Sequence, residues 1–417
     1  MAGDRSARMG AREAALGLIS AVLAEGRMLS QTALPEEISP GDRARAERLA
    51  TETLRALGRI DRVLEPLLRK PPPLPVRNIL RLAVLELSQG AAAHGVVNEA
   101  VGLARRDRKT QHLSGLINAV LRAVPLPLDL EALPVPMLPR WLRQPLVHAW
   151  GRDAVLAIER VHTGVPPIDL TLRRRGGQHP EGKMLPGGTL RLMSPGQISA
   201  LPGYAEGDWW VQDAAAALAA RLLAPQPGMR VLDLCAAPGG KTLQLADAGA
   251  RVTALDISAP RMQRLRQNLT RTGLSAELVV ADAMTWQPEA PFDAILLDAP
   301  CSATGTLRRH PDLPYVKDGS ELAGLVDLQR MLLDRALGWL RPGGRLVYCT
   351  CSLLPAEGED QLEAALARHP DLRLCPPEIA GIAADWTTPG GGLRLRPDYW
   401  AEAGGMDGFF MACLTRD

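Results

Sequence analysis

Val231-Leu232-Asp233-Leu234-Cys235-Ala236-Ala237-Pro238-Gly239-Gly240-Lys241 is the stretch whose reading decides the fold. A short apolar strand runs into a loop of small residues, and a helical pattern opens near Gly240. Outward from it the pattern keeps alternating. Strands are predicted at 230–234, 252–256, 277–280, 294–298 and 345–349, with helices opening near Gly240, Pro260, Ser320 and Ala356. Such alternation specifies an α/β fold with a parallel, doubly wound sheet. Ligands of that architecture bind outside the carboxyl ends of the strands, where the strand order reverses.

The loop Cys235, Ala236, Ala237, Pro238, Gly239, Gly240 and Lys241 occupies that place after the first strand. Its small residues let the backbone approach a ligand closely. Asp256 ends the second strand about 20 residues beyond the glycines, where a ribose-binding carboxylate is expected. Asp282, after the third strand, is placed to meet an adenine edge. The loop is neither G-x-G-x-x-G nor G-x-x-x-x-G-K, so a nucleoside without a pyrophosphate fits it best. S-adenosylmethionine is the expected cofactor.

Two cysteine motifs end later strands: Asp298-Ala299-Pro300-Cys301-Ser302 and Tyr348-Cys349-Thr350-Cys351-Ser352. A thiolate is the strongest ordinary nucleophile near neutral pH. Carbon 5 of a cytosine accepts a methyl group only after a thiolate has added at C6, so a thiol pair beside a methyl donor suits that chemistry. Neighbouring strand ends would bring Cys301 and Cys351 into one cleft, with Asp298 at the same edge to bond the base. Lys241 is expected to help keep a nearby thiol ionised. Cys375 and Cys413 read as inert, Cys349 as packing and Cys235 as loop lining.

The first 125 residues read as helices throughout. Ala15, Leu18, Ile19, Val22 and Leu23 share one face, as do Val76, Ile79, Leu80, Ala83, Val84 and Leu87. Leu113, Leu116, Ile117, Val120 and Leu121 form a third stripe. Residues 1–150 hold 21 Lys/Arg against 15 Asp/Glu, an excess that suits a polyanion partner and an ordinary solvated surface about equally. With 417 residues, two or three domains are expected. No apolar run approaches the roughly 20 residues needed to span a bilayer. The opening Met-Ala-Gly-Asp-Arg-Ser lacks the apolar core of a secretion signal, so a cytoplasmic protein without membrane contact is expected. Six cysteines at these spacings fit neither a disulfide framework nor a metal site.

Taken together, these motifs resemble the bacterial 16S ribosomal RNA cytosine-C5 methyltransferases of the RsmB (Sun/Fmu) family. The similarity runs through Cys235–Thr242, through Asp298–Gly305 and on to Arg308-Arg309-His310-Pro311-Asp312, then through Thr350-Cys351-Ser352 and Asp407-Gly408-Phe409-Phe410. Val97-Asn98-Glu99-Ala100-Val101 and Gly115–Arg122 resemble the RNA-binding NusB-like domain. The resemblance implies a NusB-like helical RNA-binding domain at 1–125 and a Pro-rich linker at 126–145. A small α/β subdomain at 146–210 and a Rossmann-like methyltransferase domain at 211–417 would follow.

The resemblance also implies roles: Cys351 attacks the base and Cys301 assists product release. Cys235 to Lys241, Asp256, Asp282 and Asp298 surround the cofactor. The partner is RNA, 16S ribosomal RNA foremost, acted on by a monomer. Where the family has Glu-Asn beyond the Cys351 motif, this chain has Glu357-Gly358-Glu359, and Tyr315 is the nearest ring to the family's aromatic position. Two other readings stay open on the residues alone, a DNA cytosine-C5 methyltransferase using the Pro-Cys thiol and a non-catalytic RNA assembly factor. Transfer RNA is the alternative substrate.

Overall fold

The computed structural model describes residues 9–194 and 196–417, so the leader reading of residues 1–6 lies outside the described residues. The chain divides into two compact units. One is Met1–Arg140 with His310–Asp318; the other is Trp141–Arg309 with Gly319–Asp417. Among the described residues no helix is long and apolar enough to cross a membrane.

The first unit is a bundle of α1 (Ala11–Glu25), α2 (Pro40–Arg55), α3 (Leu57–Leu64), α4 (Leu74–Ser88), α5 (Ala93–Arg106) and α6 (Ser114–Ala123). Local signals set the ends. Ser39 Oγ accepts the Asp42 amide at 3.1 Å with Pro40 in the first turn of α2, and α1 stops at Gly26 in the left-handed conformation. α4 is buried almost all round, so it is the helix the others pack upon. Ile19, Leu49, Ile60, Leu80, Val84, Val97, Ile117 and Leu121 share its core. Leu116, read onto the buried stripe of α6, is exposed instead. The buried face is Ile117, Val120 and Leu121, and Leu116 sits one position off that spacing.

Residues 126–139 form no helix or strand, as their prolines require. They are nevertheless packed: Leu130 is buried, and Leu128 and Leu133 lie against the bundle core. The next helix begins at Arg140, inside the segment read as linker. His310–Asp318 completes this unit, with the Leu29 amide donating to Asp312 Oδ2 at 2.7 Å and Tyr315 Oη to the Leu54 carbonyl at 3.2 Å.

The second unit opens with α7 (Arg140–Thr163) and a four-stranded antiparallel sheet. Its strands are β1 (Ile168–Leu172), β2 (Lys183–Met184), β3 (Thr189–Leu192) and β4 (Trp209–Val211), in the order β2-β3-β1-β4. A buried ion pair crosses it, Arg191 Nε and Nη2 each lying 2.7 Å from an oxygen of Asp169. Arg191 Nη1 also donates to the carbonyls of Ala403 and Gly405, and Asp169 accepts the Ala214 amide. One ion pair thus joins the small sheet to two later segments of the chain.

The larger sheet has eight strands. They are β5 (Arg230–Leu234), β6 (Arg251–Asp256), β7 (Glu277–Val280), β8 (Phe292–Asp298), β9 (Leu340–Thr350), β10 (Leu372–Cys375), β11 (Leu393–Leu395) and β12 (Phe409–Arg416). Their order is β10-β12-β9-β8-β5-β6-β7, with β11 beside β12. β9, β8, β5, β6 and β7 run parallel, whereas β12 and the strands beside it pair antiparallel. Strand order reverses between β5 and β8.

Alternation sends Leu232, Ile295, Leu297, Leu346 and Tyr348 to one face, covered by α11 (Leu322–Trp339) and α12 (Glu359–Arg368). Val231, Leu296, Val347 and Cys349 go to the other, covered by α8 (Ala214–Leu223) and α9 (Gly240–Asp247). α10 (Ala259–Thr272) joins β6 to β7.

Arg191→Met leaves Asp169 buried without its counter-charge and is expected to cost about 3–5 kcal/mol. Urea unfolding followed by the fluorescence of the chain's eight tryptophans, all at or beyond residue 141, reads the loss, and an unchanged midpoint would contradict this role for the pair.

Candidate active site

The loop after β5 is held open by backbone bonds. Asp256 accepts the Ala237 amide on one carboxylate oxygen at 3.0 Å and the Ser258 amide on the other at 2.8 Å, and Ala236 donates to the Leu255 carbonyl. Gly239 has a φ of 107°, and a Cβ there would strike Leu265, so only glycine carries the chain through this turn. Asp233 is fully buried. Its Oδ2 accepts the Thr242 hydroxyl, while its Oδ1 has no partner. Burial pushes its carboxyl up to about 7, against the lowering effect of the Thr242 bond. Asp282 lies at the same edge, since the Ala281 amide bonds the Asp256 carbonyl; its side chain is exposed and accepts the Met284 amide at 2.8 Å. Ile257, next to Asp256, is 70% exposed.

β8 and β9 pair in parallel with Asp298 opposite Cys349, so the two thiol motifs leave the sheet side by side. The Ala299 amide bonds the Cys349 carbonyl and the Gly305 amide the Cys351 carbonyl, each at 2.9 Å. Cys301 Sγ and Cys351 Sγ lie 3.5 Å apart, as free thiols. Their hydrogen bond, followed by burial, holds the Cys301 thiol well above the ordinary thiol range. Cys301 therefore holds its proton tightly, and either sulfur can be the donor in their contact.

Cys349 is deeper in the strand, 3.6 Å from Asp298 Oδ1, and burial with that carboxylate pushes it well up. Burial likewise pushes Cys235 up, and Cys413 up to about 12. Lys241 Nζ donates to Asp298 Oδ2 at 2.8 Å and sits 5.1 Å from the centre of the Phe409 ring. Burial, the largest single effect, opposes its charge, yet Asp298 together with Cys349 and Asp233 outweighs it and raises its proton affinity. Its charge is thus committed to Asp298, and among its electrostatic partners the thiol is Cys349, not one of the pair.

Several residues that build the site were not singled out from the sequence. Glu357, fully buried, accepts the Ser302 amide at 2.8 Å and Gln329 Nε2 at 3.0 Å on Oε1, and the Ser302 and Ser352 hydroxyls on Oε2. Arg308 bonds Asp407, Asp213 and the Gly404 carbonyl, which anchors the Asp407–Phe410 signature. Gly305 has no room for a side chain because Gly408 O and Cys351 O close on it. At Gly358, where the family has Asn, a Cβ would lie 2.5 Å from Arg394 Nη2 and 2.7 Å from Phe410 Cγ. Arg394 fills that space, pairing with Glu359 and donating to the Ser352 carbonyl beside Cys351.

The loop fits S-adenosylmethionine. The unpartnered Asp233 oxygen can accept an ammonium, and exposed Ile257 offers an apolar surface to a purine next to the Asp256 carboxylate. Among the described residues no group of three His, Cys, Asp or Glu is arranged to hold a metal. A doubly wound sheet bearing this loop and this thiol pair defines a Rossmann-like, S-adenosylmethionine-dependent methyltransferase. A family model described as 16S rRNA methyltransferase RsmB/F matches residues 220–415, and one for the NusB family matches residues 9–125.

The chain is 38% identical to ribosomal RNA small subunit methyltransferase B of Pseudomonas syringae pv. tomato, over 98% of this chain and 97% of that one. It is 36% identical to the protein of the same name from Vibrio cholerae, over 98% of each. The solved structure of PH0851, 24% identical, shares the fold with a TM-score of 0.72 over 96% of this chain and 99% of its own. The chain belongs to the RsmB/F family of 16S ribosomal RNA methyltransferases.

Two outcomes follow from this geometry. Asp233 binds its proton more tightly folded than unfolded, so its contribution to stability is present at low pH and is lost as pH rises through about 7. Asp233→Asn removes that dependence. Its urea midpoint should match the wild type near about pH 3, where the unfolded carboxyl is also protonated, and exceed it by a margin that widens up to about pH 7; a constant gap would contradict the assignment. Restoring the family's residue with Gly358→Asn should cost about 1–3 kcal/mol through overpacking against Phe410, read in the same unfolding assay.

Proposed function

We propose that this protein transfers a methyl group from S-adenosylmethionine to C5 of a cytosine in 16S ribosomal RNA, through a covalent bond between Cys351 and C6. The observation that carries this reading is the 3.5 Å approach of Cys301 Sγ and Cys351 Sγ at neighbouring strand ends. The same sheet edge bears the cofactor loop and Asp298.

Cys351 is the nucleophile. Its thiolate adds to C6, and the displaced electron pair passes through C5 and N3, which makes C5 enamine-like. Asp298, 31% exposed at its side chain and oriented by Lys241, accepts the exocyclic amine and holds the ring. S-adenosylmethionine, when bound, supplies the electrophilic methyl carbon. Cys235 to Lys241, with Asp256 and Asp282, hold it.

C5 then bears both its original proton and the new methyl, so a base must take that proton before the C6–S bond breaks and the Cys351 thiolate leaves. Cys301 is placed for this step. The bond to Cys351 is the largest cause of its raised proton affinity, and that bond is lost once the Cys351 sulfur is tied to carbon. Losing that bond lowers the proton affinity of Cys301, so its own proton can pass to solvent and the thiolate left behind takes the proton from C5. The target cytosine must be unpaired or turned out of its stack before C6 can be reached. Arg105, Arg106, Arg108 and Lys109 of the helical unit grip phosphate.

Cys301→Ala is expected to accumulate a covalent RNA–protein adduct on denaturing gels, and Cys351→Ala to form none. The opposite pattern would make Cys301 the nucleophile and contradict the assignment. Bisulfite mapping of ribosomal RNA from cells with and without the protein should reveal one cytosine that loses its methyl. If every 16S position stays unchanged, the substrate reading fails.

A further inference from the structure

Glu357 is an unusual group to find beside two thiols. It is fully buried, and among the described residues no Lys, Arg or His pairs with it. Burying a carboxylate is costly unless hydrogen bonds replace its water. Here four donors do so, all neutral, and three come from the residues that directly follow the thiols, Ser302 after Cys301 and Ser352 after Cys351. Its own carbonyl accepts Tyr348 Oη at 2.8 Å and Thr350 Oγ1 at 3.1 Å, which fixes residue 357 against β9. The two hydroxyls also contact each other and Thr304 Oγ1.

We infer that Glu357 is the positioning residue of the thiol pair. Its carboxylate ties the loop after β8 to the loop after β9 and thereby sets the separation of the Cys301 and Cys351 sulfurs. A glutamine cannot replace it in full. One oxygen can still accept the Ser302 amide and Gln329, but an amide nitrogen donates where both hydroxyls now donate. Those hydroxyls must turn, and the loops they belong to lose their common anchor. Glu357 also adds negative charge beside Cys301, which favours the protonated state of that thiol. Its effect on turnover rests on the cytosine reading above; its effect on sulfur spacing does not.

The test uses the full chain with Glu357→Gln, and Ser352→Ala as a second variant that removes one donor and leaves the carboxylate. Diamide takes two electrons and two protons from a pair of thiols, becoming the hydrazine while the disulfide forms. Peptide mass spectrometry then follows closure of the 301–351 bond. Glu357→Gln is expected to close it about fivefold more slowly than the wild type, because disulfide geometry tolerates little displacement. It should also lower kcat by about 10- to 100-fold, with KM for S-adenosylmethionine and RNA within about twofold. Ser352→Ala should show the same pattern, less strongly.

Closure at the wild-type rate in both variants overturns the proposal, whether or not kcat falls, because the carboxylate would then not set the spacing. Slower closure in a protein that methylates no cytosine would sustain the positioning role and sink the substrate reading, so the two failures are told apart.

Discussion

The parallel pairing of β8 with β9 is the constraint on which the site depends. Register places Asp298 opposite Cys349, and adjacent strands run about 4.8 Å apart. Two loops leaving the sheet one strand apart at the same level deliver two sulfurs to one place. β8 also borders β5 at the reversal of strand order, so the cofactor loop opens on the same edge. A one-residue slip of β9 would turn Cys351 to the other face and leave the pair unmade. The long apolar runs of both strands, buried on both faces, hold that register.

Around this frame the charged groups divide the work. Asp298 and Lys241 neutralise each other at the cofactor end, and Cys349, buried beside them, is locked in its protonated state. Cys351 lies two residues further on, past the strand end, where its neighbour is another thiol. Depth in the strand, more than residue type, separates the buried Cys349 from the half-buried Cys351. Arg308 with Asp407 and Asp213, in buried ion pairs, and Arg394 with the partly exposed Glu359 brace the segments around this edge. Breaking one partner of such a pair leaves a buried charge exposed to low dielectric, so these pairs specify a single arrangement.

The core of this was legible in the residues. Strands at 230–234 and 277–280 fall where the period predicted them, and the loop at Cys235–Lys241 stands at the sheet edge. The meeting of Cys301 with Cys351 followed from parallel neighbours. What escaped were contacts between side chains far apart in sequence. Nothing in Ala356-Glu357-Gly358 distinguishes a buried hub from a surface carboxylate, because its donors come from 5, 28 and 55 residues away. The partner of Lys241 was misread for the same reason: its distance to a thiol depends on where Asp298 points. The prolines of 126–139 announced an irregular backbone but not the leucines that fasten it to the bundle.

The central claim is that the sulfur of residue 351 bonds to carbon 6 of the substrate base. Its most direct measurement is peptide mass spectrometry of the wild-type protein after reaction with 16S ribosomal RNA transcribed with 5-fluorocytidine. Fluorine at C5 leaves no proton to remove, so the adduct cannot collapse. The account predicts a nucleotide mass on the peptide that carries Cys351. A nucleotide mass on the Cys301 peptide, or on neither, would contradict it.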